Sequence, residues 1–276
     1  MTSGRPGLEN ESSGRKALVE WVASATQRLS AAALIQQVAR QLGCRPGPIR
    51  RQLRELVEAG QLAYCTDGNG SYVDIALDRC LPIGRRLVLC PAHGVSSPEQ
   101  IAVRLHRGAA FGCGRHPTTR LALRAIETVF ENVAWASGAL QVLDIGTGTG
   151  VLAIAALGLG AAHAMAIDID PVALAEARTN LVLNGLAEKA RVEATPLERL
   201  AGPYDLIIAN LRYPTLCRLA SLVGRLAAPS GRIVLSGFRP DEARDIVDTY
   251  AAQAMQCFWQ QVEKDWMALA LVKGDG

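Results

Sequence analysis

The spacing of apolar and polar positions changes character twice along the chain. In the first sixty residues the apolar positions recur every three or four: Leu18, Val19 and Val22, then a run over 31–42, then Ile49, Leu53, Leu56 and Val57. That spacing predicts helices over 15–25, 31–42 and 49–59. Ser30 stands where an N-cap is needed, and Gly43 and Gly60 follow the second and third helices. Between those two helices, Pro46-Gly47-Pro48 turns the chain. Two short apolar runs, 62–65 and 72–77, then flank Asp67-Gly-Asn-Gly70, which is a β-hairpin signal. Three helices followed by a hairpin predict a small winged helix-turn-helix unit over 15–77. Residues 1–14, rich in Gly, Ser, Glu and Asn, read as a flexible tail.

Residues 78–116 hold two short apolar strands, 86–90 and 101–105, and a Gly-rich loop over 108–115; they read as a linker. From Pro117 the pattern becomes a regular alternation. Helices are expected over 118–133, 150–159, 171–184, 214–227 and 241–252. Strands are expected over 140–145, 163–169, 191–194, 205–210 and 231–236. Such alternation predicts an α/β fold, a doubly wound, mostly parallel sheet with helices on both faces. Two final strands, 255–262 and 266–272, are joined by only three residues and must therefore pair antiparallel at the sheet edge. The count is seven strands, all within a domain over 117–276.

Composition narrows the class without naming a function. The 276 residues are 49% hydrophobic and 20% charged, ordinary for packed domains. Net charge is +3, with residues 1–135 net basic and 136–276 net acidic. The seven cysteines are odd in number, widely spaced and lack a C-x-x-C pair, so the reading is reduced thiols, no zinc site, no bound metal and a cytoplasmic setting. Residues 1–7 hold no apolar run and are not expected to act as a secretory signal. The apolar stretch 151–167 is interrupted by Gly158, Gly160 and His163, and reads as a helix and a buried strand rather than a membrane span.

The chemistry concentrates in Val142-Leu-Asp-Ile-Gly-Thr-Gly-Thr-Gly150. A buried strand runs into three glycines, Gly146, Gly148 and Gly150, and then a helix. Such a turn lets a ligand approach the backbone at a helix N-terminus. Asp168 ends the next strand, where a carboxylate can accept both hydroxyls of a ribose. Two cofactor types suit this layout, a dinucleotide and S-adenosylmethionine. The spacing G-x-G-x-G, the acidic Asp144 just before it and the antiparallel terminal hairpin favour the second: Asp144 would repel a pyrophosphate but attract an ammonium.

The motif resembles that of class I S-adenosylmethionine-dependent methyltransferases. Ala110-Phe-Gly-Cys-Gly-Arg-His-Pro-Thr-Thr119 is similar to a segment of the ribosomal protein L-eleven methyltransferases, as are Asp168-Ile-Asp-Pro171, Ala209-Asn-Leu211 and Leu235-Ser-Gly237. The resemblance covers roughly 85–273. It implies S-adenosylmethionine as cofactor and an amine acceptor, a lysine or an N-terminal amine. It implies cofactor contacts from Thr119, Gly146, Asp168 and Asn210; Phe111, Asp144, Thr147, Gly148, Gly150 and Ile169 complete the candidate cofactor-binding set. Asn210 and Tyr213 are the catalytic candidates, as orienters of a neutral amine. No strong base is required of a protein that holds an activated methyl donor and an amine in line.

The chain departs from the family in two places. Residues 15–77 read as a winged helix where the family has a ferredoxin-like domain, and the loop after the fourth parallel strand is Asn210-Leu-Arg-Tyr213. Arg45, Arg50, Arg51 and Arg54 surround the third helix, where a winged helix meets nucleic acid. Glu55 and Glu58 offset them, so protein docking or homodimerisation is favoured over nucleic acid. His116 and Cys113 read as structural members of their loop, and Arg212 reads equally as a solvated loop residue or an anchor for an acidic acceptor. The leading function is protein N-methylation. The alternatives are a small-molecule methyltransferase with a dimerising winged helix, and a nucleic-acid-binding regulator that senses the cofactor.

Overall fold

The computed structural model describes residues 6–25, 29–59, 61–67, 70–75, 80–106, 116–132 and 140–274. Contacts divide the chain into two units, Met1–Asp78 and Arg79–Gly276.

The first unit contains α1 (Pro6–Ser24), α2 (Ala31–Gln41), α3 (Pro46–Glu58) and an antiparallel hairpin, β1 (Leu62–Asp67) with β2 (Gly70–Ile75). The order is helix, helix, helix, hairpin. Leu18, Leu34, Val38, Ile49, Leu53 and Leu62 make its core. Ser30 caps α2, its Oγ accepting the Ala33 N–H at 3.2 Å. α1 starts earlier than the apolar spacing suggests, taking in residues 6–14, which composition alone reads as a tail. Proline suits a first helical position. Gly14 lies where α1 approaches α3: a Cβ there would fall 2.0 Å from Gln52 Oε1.

The second unit begins with a small sheet. β3 (Leu81–Pro82) pairs antiparallel with β4 (Leu87–Pro91), which pairs parallel with β5 (Ile101–Leu105). These strands fold with the second unit rather than standing apart as a linker. Cys80 and Cys90 form a disulfide with Cα atoms 4.1 Å apart. This corrects the expectation that all seven cysteines are thiols: the antiparallel β3–β4 pairing brings together two residues whose spacing carries no signature. Cys44, Cys217 and Cys257 are free.

The large sheet comprises β6 (Gln141–Ile145), β7 (His163–Ile167), β8 (Ala190–Glu193), β9 (Tyr204–Asn210), β10 (Ala227–Phe238), β11 (Met255–Glu263) and β12 (Trp266–Lys273). Its order is β11-β12-β10-β9-β6-β7-β8, and only β12 runs against the rest. The expected seven-stranded, mostly parallel sheet is therefore present. Helices α4 (Pro117–Asn132), α5 (Val151–Leu159) and α6 (Pro171–Leu183) cover one face, and α7 (Tyr213–Leu226) and α8 (Ala243–Ala251) the other. Strand order reverses at β6, between β7 and β9. In an open α/β sheet that reversal opens a crevice at the carboxyl ends of the strands, where ligands bind.

α4 is fixed by a buried carboxylate. Glu127 accepts the N–H groups of Arg85 at 2.8 Å, Arg86 at 2.6 Å and Leu87 at 2.8 Å. The β3–β4 turn can close this tightly because residue 84 is glycine; a Cβ there would lie 1.6 Å from Glu127 Oε2. Glu127→Gln keeps one acceptor oxygen but turns an NH2 against an amide donor. We expect a loss of about 2 kcal/mol in urea unfolding; a wild-type midpoint and slope would refute this role for the carboxylate.

Candidate cofactor and methyl-transfer site

The crevice is built from three strand ends. After β6 the chain turns through Gly146, Gly148 and Gly150, with φ of 72°, 55° and 80°. A side chain is strained at such angles, which is why glycine stands at each. The Gly146 and Thr147 N–H groups donate to Ile167 O at 2.9 and 3.0 Å, tying the loop to the end of β7. Beyond β7, Asp168 accepts the Gly148 N–H on Oδ2 at 2.9 Å and the Asp170 N–H on Oδ1 at 3.0 Å. Asp170 in turn caps α6, accepting the Val172 N–H at 2.8 Å, with Pro171 at the first helical position. Ile169 beside them is 99% exposed.

Asp144 points from β6 to the α5 side of the sheet and is fully buried. Its Oδ2 accepts the Thr147 hydroxyl at 2.7 Å and the Ala153 N–H at 3.2 Å, while Oδ1 has no partner. Burial pushes its pKa up to about 6, with a further upward push from Asp168; the Thr147 and Ala153 hydrogen bonds pull the other way. Thr119, in the first turn of α4, is also fully buried, and its Oγ1 has no partner. The neighbouring Thr118 carbonyl accepts the Ser236 hydroxyl at 3.0 Å, so α4 is held to β10 at this point.

The third strand end is β9. Asn210 closes it, and the Leu211 N–H donates to Ser236 O at 3.0 Å. Leu211 lies over the glycine loop: a Cβ on Gly146 would meet Leu211 Cδ2 at 2.6 Å. Gly237, with φ of 97°, supports the other side; its Cβ would fall 2.4 Å from Leu211 O and 3.0 Å from Asn210 Oδ1. Tyr213 opens α7, and its hydroxyl donates to Asp245 on α8 at 3.0 Å. That carboxylate raises the tyrosine pKa.

The structure thus gathers Asp144, Gly146, Thr147, Gly148, Gly150, Asp168 and Ile169 around one turn, joined by Asn210 through Leu211. Tyr213 stands just beyond that loop, at the start of α7, with its hydroxyl engaged by Asp245 of α8. Phe111 and Cys113 lie outside the described residues. His116 stacks edge-on against Trp266, ring centroids 5.1 Å apart, and its Nδ1 lies 2.9 Å from Thr118 Oγ1, in keeping with a structural member of the loop. Sequence reasoning passed over Asn180 and Asn184 of α6, whose signal was two amides one turn apart in a mostly apolar helix. It also passed over Glu263, which pairs with Arg120 and, at 2.9 Å, with Arg124 of α4. These two charged partners on α4 lower its pKa despite burial.

A glycine turn between β6 and α5, a carboxylate ending the next strand and an antiparallel β12 inserted beside β10 define the Rossmann-like fold of S-adenosylmethionine-dependent methyltransferases. The family described as "Ribosomal protein L11 methyltransferase (PrmA)" matches residues 79–274. Two curated proteins named ribosomal protein L11 methyltransferase are similar to the chain. That of Pelobacter propionicus is 39% identical over 192 residues, covering 68% of this chain and 62% of the relative. That of Geotalea daltonii is 36% identical over 200 residues, again covering 68% and 62%. The crystal structure of ribosomal protein L11 methylase from Lactobacillus delbrueckii subsp. bulgaricus superposes with a TM-score of 0.63 at 30% identity, covering 71% of this chain and all of that one. The chain belongs to the ribosomal protein L11 methyltransferase family. It spans about three fifths of the length of these curated relatives, and residues 1–78 lie outside the family match.

The residues present fit S-adenosylmethionine. Two buried polar atoms, Asp144 Oδ1 and Thr119 Oγ1, are left with unused hydrogen-bonding capacity, which a polar ligand would meet. Asp168 has lone pairs beyond the two amides it accepts. Among the described residues no group of three or more His, Cys, Asp or Glu is placed to hold a metal ion. No described helix is long and apolar enough to cross a membrane.

Proposed function

We propose that this protein transfers a methyl group from S-adenosylmethionine to an amine of a protein, with ribosomal protein L11 as acceptor and a lysine or N-terminal amine as nucleophile. The observation that carries this reading is the convergence of the glycine turn, Asp168 and Asn210 on one crevice, in a chain of this family. When bound, the cofactor supplies a methyl group already activated by its sulfonium. Asp168 holds the ribose and Asp144 receives the ammonium of the methionine moiety. Asn210, seated on Gly237, orients the attacking nitrogen through its side-chain carbonyl and the neighbouring backbone. Tyr213, at the start of α7, is a second, weaker candidate orienter.

An amine attacks only after losing its proton, and a desolvated crevice lowers its pKa. Positioning of neutral nitrogen and methyl carbon in line then accounts for much of the rate. We read residues 15–77 as a winged-helix unit that docks the protein acceptor or a second copy of the chain, and the enzyme as cytoplasmic, where ribosomes are found. The test is transfer of a labelled methyl group from S-adenosylmethionine to purified L11 and to fractionated lysate. Label in L11 at a lysine or the N-terminal amine is expected; label confined to nucleic acid or metabolites overturns the reading.

A further inference from the structure

Helix α6 and the residue that caps its C-terminus turn two asparagines toward β5. Asn184 pairs with that strand's backbone much as another strand would: its Oδ1 accepts the Arg104 N–H at 2.9 Å and its Nδ2 donates to Arg104 O at 2.7 Å. Asn180, one turn earlier and 1% exposed, is used differently. Its Oδ1 accepts the His106 N–H at 2.9 Å, but its Nδ2 donates to Thr149 O at 2.9 Å, inside the glycine turn.

We propose that Asn180 is a positioning residue for cofactor binding, locking the peptide planes of the glycine turn and, through them, the Asp168 carboxylate. This rests on the reading of the crevice as the S-adenosylmethionine site. Each peptide unit is planar, so its carbonyl and the following N–H turn together. The Thr149 carbonyl held by Asn180 shares a plane with the Gly150 N–H, which donates to Thr147 O at 2.9 Å. The Thr147 carbonyl shares a plane with the Gly148 N–H, which donates to Asp168 Oδ2 at 2.9 Å. Two planes thus connect one buried amide to the carboxylate that meets the ribose.

Three glycines with positive φ leave this turn many conformations, so bonds from outside must select one. α6 is the element close enough to act on Thr149: Gly150 packs against Ala177, where a Cβ would come within 3.2 Å of the helix backbone. The polarity required is specific. One side of residue 180 faces an N–H and the other a carbonyl, so a side-chain amide satisfies both and a carboxylate satisfies one. Without the Asn180 amide, the peptide plane that carries the Thr149 carbonyl loses a restraint that fixes its rotation.

The test is calorimetric titration of the full chain with S-adenosylhomocysteine, beside thermal melts. Asn180→Ala and Asn180→Asp are expected to weaken binding about tenfold, the worth of one hydrogen bond to a buried group. Asn184→Ala, which loses its bonds to β5 and to the Asn180 backbone carbonyl but none to the turn, is the control. It is expected to lower the melting temperature at least as much while binding within twofold of wild type. Should Asn180→Ala not fold, Asn180→Asp, of equal size and with the His106 acceptor kept, carries the comparison. Wild-type affinity in the Asn180 variants, or equal weakening in Asn184→Ala, overturns the proposal alone. Absence of binding by the wild-type chain overturns the reading of the site and this proposal with it.

Discussion

Replacing Asp168 by alanine is expected to weaken S-adenosylhomocysteine binding by at least about a hundredfold. Asp168 accepts two backbone N–H groups, from Gly148 and Asp170, one on each oxygen. Each oxygen retains a lone pair for a second donor, which on the proposed reading is a ribose hydroxyl. A hydrogen bond to a charged group contributes roughly 1.5–3 kcal/mol, so losing two costs about 3 kcal/mol or more, which is the factor stated. The alanine also frees the Gly148 N–H, so the glycine turn loses one of its restraints. Asp168→Asn should fall between, since it keeps an acceptor but not the charge. Calorimetry with a folded Asp168→Ala protein settles the matter: a dissociation constant within fivefold of wild type would remove Asp168 from the ribose site.

The parts of this protein legible in its sequence are those written in local pattern. Alternation of period from Pro117 onward announces the sheet, because a strand buried on both faces must be apolar throughout. The last two strands pair antiparallel because three residues cannot carry a crossover. The glycine turn is legible because its three positive φ angles exclude most side chains. What was not legible depends on contacts between distant segments. Cys80 and Cys90 meet only once β3 folds back on β4. Glu127 looks like an ordinary surface acid of α4 until the β3–β4 turn brings three amides to it, 40 to 42 residues away in sequence. Asn180 shows the same limit within the site: its two partners lie 74 and 31 residues off, and nothing in its own neighbourhood names them. The start of α1 at Pro6 was missed for another reason. Residues 6–14 lack the apolar spacing that marks a helix face, and composition alone reads such a stretch as a tail.

Asp144→Asn is expected to raise the stability of the cofactor-free protein while lowering its affinity for the cofactor. The carboxyl is fully buried and its pKa lies near 6, against an ordinary value of 3.8. Between about pH 4 and pH 6 the unfolded chain has released this proton while the folded chain retains it. The folded state then binds more protons, so stability falls as pH rises through that window and stays low above it. A displacement of this size corresponds to about 3 kcal/mol when fully developed. Asparagine has no proton to lose, so the variant should lack that fall and should exceed wild type in urea unfolding at pH 8. Binding should move the opposite way. An ammonium beside Asp144 favours the ionised form, converting a cost of folding into attraction for the ligand. Wild-type affinity for S-adenosylhomocysteine should therefore drop as pH falls below about 6. Asp144→Asn should bind about tenfold or more weakly at pH 8, with little change across the same range. A variant that binds like wild type at pH 8 and keeps the wild-type pH profile would show that the ammonium sits elsewhere, leaving Asp144 only its tie to Thr147 and Ala153.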